Sequence, residues 1–334
     1  MSQDPDKAPQ PQSETARVPA RVESGTTGVP ARVESPNTGV PAPAAQGAPS
    51  VAVEAARAAA QAAPAKPYVV EFRNVTKTYF AGTRRAFTAI KDVTFAVEDL
   101  PNIGELVAIL GPSGCGKSTV LKLIAGLEPQ FPASSGEVLV LGQPVTSPGA
   151  DRGMVFQEYT AFDNRTVLDN VSFGLECRGV GRSERHERAM EWIAKVGLDP
   201  EHDAFKYPQQ LSGGMRQRVA IARSLILNPR ILLMDEPFGA LDPMTRLRMQ
   251  DLLIDLWRNS ETTVFFVTHS IDEAVFLGDR IYLFSNAPGT IIEQTFAPRP
   301  TVPAVEAHAQ PEFVDRTRYI REKIAKMEKE AGKV

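Results

Sequence analysis

From Tyr68 onward, apolar and polar positions alternate in two runs, "YVVEFRNVTKTY" and "FTAIKDVTFAVEDL", both rich in β-branched and aromatic residues. This period of two predicts antiparallel strands with one buried face. The pattern changes at Glu105, where the short apolar run "ELVAIL" leads into a glycine-rich turn and then into the helical sequence "STVLKLIAGL". Strand, glycine loop and helix are expected in that order. Two further runs, "RILLMDEP" (230–237) and "TTVFFVTH" (262–269), are almost wholly apolar and are separated by a leucine-rich helical segment. Strands covered on both faces read this way, which predicts a parallel sheet with crossover helices.

Between these halves, "SERHERAMEWIAKVGL" carries Ala189, Trp192, Ile193 and Val196 at helical spacing, in a stretch with little strand character. A helical subdomain inserted into the α/β core, at about 158–212, is the expected consequence. At the far end, Phe313, Ile320, Ile324 and Met327 mark an amphipathic helix, expected to dock on its own body.

Composition divides the chain further. Residues 1–67 hold 11 of the 27 prolines and 17 alanines but no aromatic residue. Such a segment buries too little apolar surface to offset its ordering entropy, and a disordered Pro/Ala-rich tail is expected. Within it Val18-Pro19-Ala20-Arg21-Val22-Glu23-Ser24 returns at Val29–Ser35, and Val40-Pro41-Ala42 begins a third copy. This repeat reads as a flexible tether. The run Val51–Ala63 is alanine-rich enough for a transient helix.

The chain has 37 basic and 40 acidic side chains, a net charge of −3, so no broad basic field attracts nucleic acid or anionic lipid. The two cysteines, Cys115 and Cys177, form no disulfide framework, and a reducing cytoplasm is the expected setting. No signal peptide or run of 18 apolar residues is evident, so work at a membrane is expected to go through a partner.

The chemistry lies in two motifs. Gly111-Pro112-Ser113-Gly114-Cys115-Gly116-Lys117-Ser118, followed by Thr119, satisfies the pattern G-x-x-x-x-G-K-[ST]. Its glycines permit positive φ and close approach, so backbone N–H groups can surround a phosphate at a helix N-terminus. Lys117 would face the β- and γ-phosphates and Ser118 would put its hydroxyl on Mg²⁺. Cys115 needs only to be small, although a helix N-terminus can lower a thiol pKa and expose it to oxidation. The second motif is Asp235-Glu236, two acids at the C-terminal end of an apolar strand. There one acid can hold Mg²⁺ and the other can orient or deprotonate an attacking water.

Leu211-Ser212-Gly213-Gly214-Met215-Arg216-Gln217-Arg218 resembles the signature motif of ABC-transporter ATPases, and the resemblance spans about Tyr68 to Phe296. It implies a P-loop NTPase fold with a RecA-like parallel sheet core, an antiparallel β subdomain and an inserted α-helical subdomain. The expected organisation is a tail at 1–67, an ATP-binding domain at 68–296 and a C-terminal extension at 297–334. Tyr79 is similar to the aromatic that stacks on adenine, Gln157 to the Q-loop glutamine that also approaches Mg²⁺, Asp242 to the end of the D-loop, and His269 to the H-loop switch. Taken singly, three of these four read as strand-edge packing at Tyr79, a surface amide at Gln157 and a core histidine at His269; the ordered set favours the family roles.

The resemblance further implies ATP and Mg²⁺ as ligands and a head-to-tail homodimer. Each nucleotide would lie between Gly111–Thr119 of one copy and Ser212, Gly213 and Gly214 of the other. Glu236 would be the general base, His269 a γ-phosphate contact, and Lys117 and Gln157 would complete the catalytic set. Partners would be integral-membrane permease subunits at the cytoplasmic face of a bacterial inner membrane and, indirectly, a periplasmic or lipid-anchored solute-binding protein, with no nucleic acid. "DEAVFL" and "SNAPGTI" look like the importer branch for nitrate, sulfonate and taurine, whereas Phe162-Asp163-Asn164-Arg165 departs from it and is similar to systems for urea- or guanidine-like nitrogen compounds. An ABC ATPase of DNA repair or translation would more often show tandem cassettes or sustained heptads, and a non-hydrolysing scaffold has no need of the acid pair. Removing residues 1–66 is expected to leave ATPase activity intact; a large loss in a phosphate-release assay would refute the tether.

Overall fold

A computed structural model describes residues 68–331 apart from Pro101, Glu158, Tyr159 and Asn259. The predicted tail, its repeat and the alanine-rich run lie outside the described residues. The strands are β1 (Tyr68–Tyr79), β2 (Phe87–Glu98), β3 (Leu106–Leu110), β4 (Ser135–Val140), β5 (Gln143–Pro144), β6 (Arg152–Val155), β7 (Ile231–Asp235), β8 (Thr263–Thr268), β9 (Arg280–Phe284) and β10 (Ile291–Phe296). The helices are α1 (Lys117–Ala125), α2 (Val167–Cys177), α3 (Arg182–Lys195), α4 (Gly213–Leu225), α5 (Pro243–Trp257), α6 (Ile271–Leu277), α7 (Ala304–Ala307) and α8 (Pro311–Ala331). Among these residues no helix is long and apolar enough to cross a membrane.

The strands form two sheets. One is antiparallel, in the order β2-β1-β4-β5, and the other has six strands in the order β10-β9-β3-β8-β7-β6. In the larger sheet every pairing from β9 to β6 is parallel, and β10 adds an antiparallel edge. The apolar runs of the central strands follow from burial on both faces. Leu106, Ala108 and Leu110 of β3 enter one core with α5, α6 and Ile320 of α8, while Val107 and Ile109 enter a second core with α1 and the antiparallel sheet. β7 and β8 divide in the same way, with Met234 and Phe266 on one side and Leu233 and Phe265 on the other. Each buried large apolar side chain stabilises the fold by about 1.5–3 kcal/mol.

A third apolar cluster belongs to the helical lobe: Val167, Val171 and Leu175 of α2, Ala189 and Ile193 of α3, and Val219 and Ala222 of α4. Trp192 is only half-buried there, whereas Val196 just past α3 is fully buried. The helix α8 lays Phe313, Ile320 and Ile324 against the core around α6, with Tyr319 donating to Glu293 at 2.5 Å and Lys323 2.9 Å from the same carboxylate. Met327 is half-buried.

Charged residues join the two sheets. Arg280 on β9 is 2% exposed and donates to Glu105 at 2.8 Å, to Glu98, and to the Ala96 carbonyl of β2 at 3.1 Å. Burial, the strongest influence on the neighbouring Tyr282 hydroxyl, pushes its pKa up to about 12, so it stays protonated beside that carbonyl. Next to this group, Asp279 accepts from the Leu106 N–H at 2.9 Å and from Arg299 at 2.8 Å.

Candidate nucleotide site

Lys117, Ser118, Gln157, Asp235, Glu236 and His269 come together at the C-terminal ends of β3, β6, β7 and β8, which are neighbours in the parallel sheet. The loop after β3 turns on Gly114 at φ 78° and Gly116 at φ 97°, values that suit glycine alone. A Cβ on Gly116 would stand 2.5 Å from Ile90 Cγ2 and 2.7 Å from the Ala89 carbonyl, so the antiparallel sheet presses directly on the loop. Gly116 caps α1 with no side-chain hydrogen bond, which leaves the leading N–H groups of the helix available to an anion. Lys117 is buried and its Nζ spans the loop, donating to the Gly111 carbonyl at 2.8 Å and the Pro112 carbonyl at 2.7 Å. Ser113 and Gly114 form the exposed rim.

Cys115 is a buried filler, with its Sγ 3.1 Å from where a Cβ on Gly111 would stand. Burial pushes its thiol pKa up, outweighing the opposing charge of Lys117. The loop position therefore gives no activated thiol.

Asp235 ends β7 at 5% exposure and accepts a 2.7 Å hydrogen bond from Ser118 Oγ. Burial raises its carboxyl pKa, opposed by that hydrogen bond and by Lys122 and Lys117. Glu236 follows with φ 45°, which takes it out of the strand's alternation, while its N–H still donates to the Val267 carbonyl at 3.1 Å. Its Oε2 accepts from Gln157 Nε2 at 3.4 Å and lies 3.2 Å from His269 Nδ1. The His269 side chain is 54% exposed, which excludes the core-histidine reading. Tyr79 ends β1 half-buried, its Oη 3.1 Å from Thr119 Oγ1 on α1, and this places an aromatic ring beside the phosphate loop.

Ser212, Gly213, Gly214 and Asp242 stand apart from that cluster. Ser212 caps α4 by accepting from the Met215 N–H at 3.3 Å, and Asp242 caps α5 by accepting from the Thr245 N–H at 3.0 Å. Hydrogen bonds from Thr245 hold the Asp242 carboxyl below its usual range. The two helix starts abut, since a Cβ on Gly214 would lie 3.0 Å from Thr245 Cγ2. Among the described residues no hydrogen bond ties Ser212, Gly213 or Gly214 to Gly111–Thr119.

Sequence reasoning missed the support behind His269. Thr268 Oγ1 donates to Glu273 at 2.5 Å and accepts from the Ser270 N–H at 3.0 Å. Glu273, its pKa raised by burial, lies 3.6 Å from Arg246 Nε, and Arg246 in turn donates to the Leu241 carbonyl at 3.1 Å. The turn carrying His269 is thus tied to the start of α5. Neither Glu273 nor Arg246 stands out in the sequence, where the apolar residues that follow Glu273 are the one sign that its carboxyl is buried.

The donors around Ser118 are all oxygens, the chemistry of a hard cation such as Mg²⁺. Among the described residues no group of three or more His, Cys, Asp or Glu could hold a metal alone. Water and phosphate oxygens would complete the shell of such a cation.

A parallel sheet with a phosphate loop after β3 and an acid pair after β7 defines a P-loop NTPase. Residues 90–239 match the family model described as ABC transporter. The chain is 49% identical over 225 residues to an uncharacterized ABC transporter ATP-binding protein of Methanocaldococcus jannaschii, covering 67% of this chain and 80% of that one. It is 50% identical over 212 residues to the nitrate import ATP-binding protein NrtD of Synechocystis (64% and 76% covered). Over 208 residues it is 51% identical to the taurine import ATP-binding protein TauB of Rhizobium johnstonii (62% and 76% covered). Among solved structures, a dimeric post-hydrolysis state of the ATP-binding cassette MJ0796 bound to ADP and Pi superposes with a TM-score of 0.59 at 36% identity, covering 68% of this chain and 98% of that one. The chain belongs to the ABC-transporter ATP-binding family, and it is a nucleotide-binding ATPase.

Proposed function

We propose that this chain energises an importer for a small anionic or zwitterionic solute of the nitrate, sulfonate or taurine kind, through a separate permease at the cytoplasmic face of the membrane. The observation that carries the reading is the joined set Ser118–Asp235 and Gln157–Glu236–His269, set at the strand ends where α/β sheets bind ligands, in a chain about half identical to import subunits.

In this reading Gly111–Thr119 wrap the phosphates, Lys117 leaves its carbonyl acceptors for the γ-phosphate, and Tyr79 lies against the base. Ser118 and Asp235, with Gln157 at the edge, would hold Mg²⁺, which supplies charge neutralisation across the phosphates when bound. Glu236 accepts the proton of the attacking water, and His269 fixes that carboxylate and the γ-phosphate. Ser212, Gly213 and Gly214 would serve the nucleotide of a second copy, and Asp242 would lie along the shared surface.

The surface offered to the permease is the loop at 162–165. Buried Asn170 holds it, accepting from the Phe162 N–H at 2.8 Å and donating to the carbonyls of Phe162, Arg165 and Thr166. Phe162 is 38% exposed, packed on Phe173, with the Arg223 guanidinium 5.6 Å from its ring. A departure from the importer branch at this loop bears on the choice of permease and is the sole support for a urea- or guanidine-like solute.

The test is Mg²⁺-dependent ATPase activity of the purified chain, alone and in lipid with the permease encoded beside it. A low rate that rises with the permease and a solute-loaded binding protein is expected, and the solute that raises it identifies the cargo. A rate indifferent to the permease but responsive to DNA or ribosomes would overturn the proposal.

A further inference from the structure

The turn that carries His269 is closed by a ring of hydrogen bonds made by its neighbours. Thr268 Oγ1 donates to the Glu273 carboxylate at 2.5 Å and accepts from the Ser270 N–H at 3.0 Å, while the Glu273 N–H donates to Ser270 Oγ at 3.3 Å. The residues before and after the histidine are thus both fastened to Glu273. With Thr268 2% and Glu273 5% exposed, water offers neither side chain a substitute partner. The imidazole, more than half exposed and 3.2 Å from Glu236 Oε2, takes its place from this backbone.

The second oxygen of Glu273, Oε1, lies 3.6 Å from Arg246 Nε. A charge-assisted hydrogen bond is shorter, about 2.7–2.9 Å. Arg246 Nε is nevertheless buried without a hydrogen-bond partner, whereas an ion pair that served only to hold the fold would be expected to close. Arg246 is fastened at its other end: its guanidinium donates to the Leu241 carbonyl at 3.1 Å, and its N–H donates to the Asp242 carbonyl at 2.9 Å. The pair is an open joint between two pieces, the start of α5 with Asp242 and the turn with His269. A small approach of α5 toward α6 would close it.

We propose that Glu273 is a positioning residue for ATP hydrolysis, acting through His269, and that Arg246 passes the position of the α5 start to it. The inference rests on the reading of His269 as a contact of Glu236 and the γ-phosphate. Glu273 itself touches neither. Its carboxylate holds the turn at an angle from which the imidazole meets Glu236, and closure of the Arg246 joint tightens that hold.

The experiment is a mutant cycle on the Mg²⁺-dependent ATPase activity of the full-length chain, with kcat and KM taken separately. Glu273→Gln keeps an acceptor for Thr268 but removes the charge that faces Arg246. It is expected to lower kcat by about 10- to 100-fold, the cost of a slight misplacement beside the reacting groups. KM for ATP should stay within about twofold, because the phosphate loop is untouched. In a His269→Ala background the same substitution should change kcat by less than about twofold, since residues that act as a unit are not additive. Arg246→Met is expected to reproduce the loss and to add little to Glu273→Gln. Thr268→Val, which breaks the ring, should also slow turnover, and Thr268→Ser, which keeps the hydroxyl, should recover most of that rate.

A loss of folded chain would scale both backgrounds alike, so an equal effect of Glu273→Gln with and without His269 would overturn the proposal. A parent-like kcat in Glu273→Gln, or Thr268→Ser as slow as Thr268→Val, would do the same. Normal hydrolysis by His269→Ala would remove the role of His269 and this inference together. An impaired His269→Ala beside a parent-like Glu273→Gln would remove this inference alone.

Discussion

Glu236→Gln is expected to keep nucleotide binding and to lower the ATPase rate by about 10²- to 10⁴-fold, the usual contribution of a positioned general base. The amide has the shape of the carboxylate and can still meet Gln157 and His269, which lie 3.4 and 3.2 Å from Oε2. It cannot take a proton from water. Binding energy that normally ends in hydrolysis would then persist, and chains mixed with ATP and Mg²⁺ should accumulate as a stable dimer. Single-turnover phosphate release and size-exclusion chromatography check both halves of the expectation. Normal hydrolysis by the variant would remove Glu236 from the role and leave the water to be activated by another group.

Arg280→Leu is expected to cost about 3–5 kcal/mol of folding stability, read as a fall in the urea midpoint. The loss comes mainly from what is left behind: Glu105, 1% exposed, would keep its charge without the guanidinium, and the Ala96 carbonyl and Glu98 would lose a donor. Replacing Arg280 and Glu105 together by methionine should recover much of the loss, because a well-packed apolar pair no longer needs the interaction. A single variant as stable as the parent would mean that the two sheets are held by apolar contact alone.

How much of this was legible depended on the kind of signal. The strand–loop–helix at 106–125 was legible because its glycines and apolar run have few other physical uses, and β7 and β8 because strands buried on both faces lose their alternation. The strands β4, β5, β6, β9 and β10 were not foreseen. β6 is four residues with a glycine, and β10 alternates only between partly buried and exposed positions, so neither stands out from loop composition. Asp235 and Ser118 were each singled out, yet their hydrogen bond across 117 residues is set by the order of strands in the sheet. Arg280 and Glu105 went unnoticed for the opposite reason. Charged residues are read as solvated unless a partner is known, and here the partners are 175 positions apart.

The separation of the capped helix start at Ser212 from the phosphate loop has a consequence in the test tube. If each chain carries two unlike halves of a reaction centre, neither half works alone, and turnover per chain should fall as the solution is diluted below the dissociation constant of the pair. A permease that holds two copies side by side would abolish this dependence by replacing bulk concentration with a much higher effective one. The rate gained on joining a permease would then have two sources, proximity and signalling, and dilution is the variable that separates them.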